Sequence, residues 1–88
     1  MLLFILDMEG RKEDIVVEEY NTVGELKQII NEDLGICLTG KKLIYGKTEL
    51  AKDSLKLSDY GIVNGKQIII TNIYDGGLNN NFLYKMII

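Results

Sequence analysis

Along the first part of the chain the apolar positions follow strand spacing, then helix spacing, then strand spacing again. Leu2-Leu3-Phe4-Ile5-Leu6 is apolar on both faces of a strand, with Leu3 and Ile5 on one face and Leu2, Phe4 and Leu6 on the other. Such a run suits a strand deep in a sheet. Met8-Glu9-Gly10 reads as a short hairpin loop in which Gly10 supplies positive φ. The return strand is Lys12 to Glu18, with Ile15 and Val17 pointing one way and Asp14 and Val16 the other. Glu13 falls on the Ile15 face, and its place is expected at the rim of the sheet with the carboxylate in water.

The period then changes. Thr22 is positioned to cap a helix, and Glu25 three residues on completes a capping box. Val23, Leu26, Ile30 and Leu34 follow on one helical stripe, with Ile29 beside it, and Gly35 stands where a left-handed C-terminal residue is needed. This predicts a helix of about 12–13 residues, an ordinary length. Ile36 to Gly40 is a loop. Lys41 to Tyr45 is a strand, with Leu43 and Tyr45 on one face and Lys42 and Ile44 on the other. Gly46-Lys47-Thr48 is a turn and Glu49-Leu50 a strand stub. Leu55 to Ile62 has the spacing of a helical turn with apolar anchors, Asn64-Gly65 is a turn, and Lys66 to Asn72 is the last strand. On that strand Ile68 and Ile70 face inward and Ile69 and Thr71 outward. One helix therefore covers one face of a mixed sheet whose first and last strands form the central pair. The expected core is Leu3, Ile5, Ile15, Val17, Val23, Leu26, Ile30, Leu34, Leu43, Leu50, Leu57, Ile62, Ile68 and Ile70.

Composition narrows what such a fold can do. At 88 residues the chain makes one domain. It contains no His, no Trp and one Cys, Cys37, which excludes a Cys/His zinc site, a His-based triad and an internal disulfide. A net charge of −3 argues against nucleic acid as the main partner. The run Leu2 to Leu6, stopped by Asp7, is too short for a signal peptide or a membrane span. No cofactor, no metal and no membrane partner are expected, and the cytoplasm or nucleus is the expected compartment. Without a His to activate it, Cys37 reads as an inert small residue.

The segments Leu43-Ile44-Tyr45-Gly46-Lys47 and Leu57-Ser58-Asp59-Tyr60-Gly61-Ile62 resemble stretches of the ubiquitin-like family, and Gly10, Thr22, Lys27, Ile30, Gly35-Ile36 and Leu50 fall in register with it. The resemblance runs from Met1 to Gly77. It implies an α+β fold, the β-grasp: a mixed sheet of four to five strands packed on one helix plus a short helical turn. The domain would span 1–77, with 78–88 a C-terminal extension that is either a removable propeptide or a linker.

With one extra residue near Lys52, the pair Gly76-Gly77 falls on the family's terminal diglycine. In the family that terminus is activated and joined to substrate lysines, and glycine permits the extended, closely approached backbone this requires. The resemblance thus implies a protein modifier, not an enzyme, made as a precursor and cut after Gly77. Its partners would be activating and conjugating enzymes, a processing protease and domains of the ubiquitin-binding type, with the chain itself a monomer. The alternative is a ubiquitin-like interaction domain that is never conjugated, one part of a larger adaptor. Ile73 and Asp75 stand where ubiquitin's tail is basic, which speaks against charging by ubiquitin's own activating enzyme. Leu6, Arg11, Ile29, Asp33 and Asn64 replace most chain-forming lysines. Lys47 lies close to the main one and is the candidate acceptor, whereas Lys27 reads as a structural partner for a loop carboxylate or carbonyl.

The family's usual binding surface is the open face of the sheet. Here it would present Met8, Lys42, Ile44, Ile69 and Thr71, an apolar cluster of the kind that marks a partner site. Leu2 and Phe4 are expected to form a second patch near the first hairpin.

Overall fold

The computed structural model describes residues 1–73. Gly76, Gly77 and the 78–88 extension lie outside the described residues. The strands are β1 (Leu2–Leu6), β2 (Lys12–Val16), β3 (Lys41–Tyr45), β4 (Thr48–Glu49) and β5 (Gln67–Asn72). Between β2 and β3 lies the helix α1 (Val23–Leu34), and a single 3-10 turn spans Leu57–Tyr60. The sheet order is β2-β1-β5-β3-β4. β1 and β5 pair in parallel at its centre, and the remaining pairs are antiparallel. This is the β-grasp arrangement that the resemblance implies.

The first hairpin follows from Asp7 and Gly10. Gly10 has φ +87°, and the Asp7 carboxylate accepts from the Glu9 and Arg11 amides, both at 2.9 Å, and from Arg11 Nε at 3.0 Å. Burial raises the Asp7 pKa, but these hydrogen bonds outweigh it and hold the carboxyl below its ordinary value.

Thr22 caps α1 as its spacing requires. Its Oγ1 accepts from the Glu25 amide at 3.1 Å, and the Glu25 carboxylate accepts from the Thr22 amide at 2.8 Å. Gly35 closes the helix at φ +68°. Thr22→Ala leaves the Glu25 amide without its partner and is expected to cost about 0.5–2 kcal/mol in urea unfolding. Hydrogen bonding from the Thr22 amide holds Glu25 below its usual 4.5. A depressed carboxyl stabilises the fold above its unfolded pKa, and that contribution is lost as pH falls through the folded value.

The core lies between α1 and the inner sheet face. Leu3, Ile5, Ile15, Val17, Val23, Leu26, Ile30, Leu43, Leu50, Leu57, Ile62, Ile68 and Ile70 are all buried. Leu34 differs from its sequence reading: at the last helical position it is half-buried and packs against the edge of the core. Strand ends also shift. β2 stops at Val16, although Val17 stays buried and its amide donates to the Met1 carbonyl at 2.8 Å. β4 is Thr48–Glu49, displaced from Glu49-Leu50 because the turn is tighter, while Leu50 drops into the core. β5 begins one residue later than its pattern, at Gln67. Glu13 is half-buried on an edge strand, opposite Ile5, in keeping with a place at the rim.

Candidate functional site: the open face of the sheet

With the inner face packed against α1, the outer face carries the alternate residues of each strand. Register places Leu6 opposite Ile69, and Ile69 opposite Ile44. Three adjacent strands therefore contribute one continuous apolar row. Met8 in the hairpin loop extends it. Met8 is 38% exposed and Ile69 37%, and Ile44 and Leu6 are half-buried. Together with Lys42 and Lys47 they line an open groove of about 610 Å³.

The structure thus brings Met8, Lys42, Ile44 and Ile69 together as their sequence spacing implies. It adds Leu6, which the sequence reading grouped only with Leu2 and Phe4. The signal was present: a strand of five residues puts Leu6 on the same outer face as Ile69 once β1 and β5 pair in parallel.

Thr71 requires correction. It points to the outer face and lines the groove but is only 9% exposed, so it forms floor rather than contact surface. It sits on the central strand directly opposite Lys42, under its neighbours. The Lys42 side chain is 24% exposed and approaches Glu49 of β4 at 3.8 Å.

Lys47 is exposed in the β3–β4 turn, beside Gly46 at φ +61°. Lys27 is engaged: its Nζ donates to Asp53 Oδ1 at 2.7 Å, the loop-carboxylate role read from the sequence. Tyr60 Oη accepts from the Lys52 amide at 3.4 Å, tying the long loop to the 3-10 turn. Cys37 is exposed rather than packed. Hydrogen bonding from the Thr39 side chain, and then from its backbone, draws the thiol below its ordinary pKa. Among the described residues no group of three or more His, Cys, Asp or Glu is placed to hold a metal ion.

The second patch has a different composition from that expected. Leu2 and Phe4 are half-buried, and the Lys12 ammonium lies 4.8 Å from the centre of the Phe4 ring. The more exposed apolar residues at that end are Val16, 72% exposed and opposite Leu2, and Val63, 53% exposed. Val63 precedes Asn64, whose Oδ1 accepts from the Leu2 amide at 2.8 Å. The sequence reading placed Val16 on the outer side but missed the pairing with Leu2 that makes a patch of it.

The parallel central pair, the single capped helix and the apolar row across β1, β5 and β3 are matched by a family comparison. The model of the ubiquitin family matches residues 3–71. The chain belongs to the ubiquitin family. It is also 25% identical over 88 residues to part of a probable bifunctional E2/E3 enzyme of Acanthamoeba polyphaga mimivirus. That alignment covers 93% of this chain and 7% of the viral protein, so this ubiquitin-like domain corresponds to a small part of its relative.

Proposed function

We propose that this ubiquitin-like domain is a docking module, recognised through the groove on the open face of its sheet and performing no chemistry of its own. The observation that carries this reading is the continuous row Leu6, Ile69 and Ile44, with Met8 beside it, on a face that α1 does not cover. Contiguous apolar surface of this kind is the usual mark of a partner site. The relative named as an E2/E3 enzyme, of which the matching part is a small fraction, supports a role as one module of a conjugation system. The test is to titrate the isotope-labelled chain with purified domains of the ubiquitin-binding type and follow amide and methyl signals. Shifts centred on Met8, Ile44 and Ile69 are expected. Shifts confined to Leu2, Phe4, Val16 and Val63 would move the docking site to the opposite corner of the sheet.

A second reading is favoured by Gly76-Gly77, which stand shortly after the end of β5 in the sequence. In it the domain is a modifier, released by a processing protease after Gly77, activated and conjugated through its new carboxylate to substrate lysines in the cytoplasm or nucleus. Expressed in its native cells with an N-terminal tag, such a chain loses residues 78–88 and enters higher-mass adducts that survive reducing agent. Gly77→Ala should abolish both events, because a methyl group obstructs a channel shaped for glycine. An intact chain with no adducts in those cells removes the modifier reading and leaves the docking module.

A further inference from the structure

The floor of the groove holds a polar atom that apolar docking leaves unexplained. Thr71 Oγ1 is shielded from solvent and has no hydrogen-bond partner among the described residues. A buried hydroxyl without a partner is destabilising, and valine would fill the same space without that loss.

The residue directly opposite Thr71 on β3 is Lys42. Facing residues of an antiparallel pair have their Cβ atoms about 4.5–5.5 Å apart, so the two side chains are immediate neighbours on the outer face. The Lys42 ammonium is also under-used. Its contact with Glu49, at 3.8 Å, is longer than a hydrogen bond, and its side chain is three-quarters withdrawn from water. Two adjacent donors thus stand unsatisfied at one end of an apolar row.

We propose that Thr71 and Lys42 form a carboxylate subsite in the groove, so that the segment docking there is an apolar peptide bearing an Asp or Glu side chain. One carboxylate oxygen accepts from Lys42 Nζ and the other from Thr71 Oγ1. The inference rests on the docking reading and names the chemistry of its occupant. Charge complementarity supports it. The chain carries a net charge of −3, yet Lys42 and Lys47 both line this groove. Asp7 lines it too, but its carboxylate is already engaged by Arg11 and the Glu9 amide. A carboxylate is favoured over a neutral amide because lysine only donates, and a carboxylate offers acceptor sites on both oxygens. Rotation about the first side-chain torsion of Thr71, between staggered wells, exchanges the positions of methyl and hydroxyl and turns the oxygen toward an incoming acceptor.

The test uses the full chain and two synthetic helical peptides with the same stripe of Leu and Ala. One carries Glu beside the stripe and the other Gln. Calorimetric titration of the wild type should give the Glu peptide at least a fivefold tighter Kd, with signals of Lys42 and Thr71 moving together with those of Ile44 and Ile69. Thr71→Val should fold, show a higher Tm, and bring the Glu-to-Gln preference below twofold. Lys42→Met should do the same to the preference without the gain in Tm. Equal binding of both peptides by the wild type overturns the subsite and leaves apolar docking standing. If neither peptide shifts the groove signals, the subsite and the docking reading fall together. Full retention of the preference in Thr71→Val overturns the part assigned to the hydroxyl.

Discussion

Ile30→Ala is expected to destabilise the domain by about 2–5 kcal/mol, the cost of removing a buried branched side chain from a core that cannot collapse around the gap. Ile30 is fully buried in the middle of α1, within the cluster that joins the helix to the inner sheet face. Alanine suits a helix slightly better than isoleucine does, but that gain is only a few tenths of a kcal/mol, roughly a tenth of the loss. For a domain with a total stability of about 5–15 kcal/mol, the substitution removes a large fraction. The measurement is the urea midpoint at constant slope, with Ile29→Ala as comparison. Ile29 is only partly buried and should cost clearly less. A loss below about half a kcal/mol at position 30 would mean that a different helix face meets the sheet.

Ile44→Asp should have a comparably large effect on binding while leaving the fold nearly intact. Ile44 is half-buried on the outer face, between Ile69 of β5 and Glu49 of β4. Its replacement therefore opens no cavity in the core, and the intrinsic strand penalty is about 1 kcal/mol or less. In a complex, however, the carboxylate would lie at the centre of a desolvated contact. An uncompensated buried charge costs about 3–5 kcal/mol, a loss of roughly a hundredfold to a few thousandfold in Kd. Titration of wild type and variant against the same binding domain reads this directly, with the unfolding midpoint as the control for the fold. Unchanged affinity would show that Ile44 is outside the contact.

The fold was legible wherever a residue's neighbours along the chain decide its state. The capping box of Thr22 and Glu25, the left-handed Gly35 and the alternation in β1 and β5 are local features, and each stands where its spacing implies. Partners distant in sequence were harder to see. Leu34 has the right helical phase, but at the last position of α1 it extends past the sheet that covers Ile30, so phase alone overstated its burial. Thr71 has the right parity for the outer face, but parity does not report how closely Lys42 and the neighbouring strands crowd it. The apolar row of the groove needed the parallel register of β1 and β5 before Leu6 could be added to it. The Lys27–Asp53 contact joins residues separated by a whole strand pair, and only its kind of partner, not its identity, was readable in advance. Lys47, Gly76 and Gly77 remain assignments from sequence register.

The parallel pairing of the first and last strands also decides how the domain meets a pulling force. β1 enters and β5 leaves side by side, running in the same direction, so tension applied between the N-terminal end and the exit at Ile73 slides one strand along the other. The bonds between them are then loaded together in shear, instead of opening one after another as they would in a hairpin pulled at its open end. Tension across β3 and β4, which meet through a tight antiparallel turn, is of the second kind. The domain should therefore resist mechanical unfolding along the line joining its two termini and yield more readily when gripped through Lys47. A machine that threads this chain would find it easier to open from the β3–β4 turn than from either end.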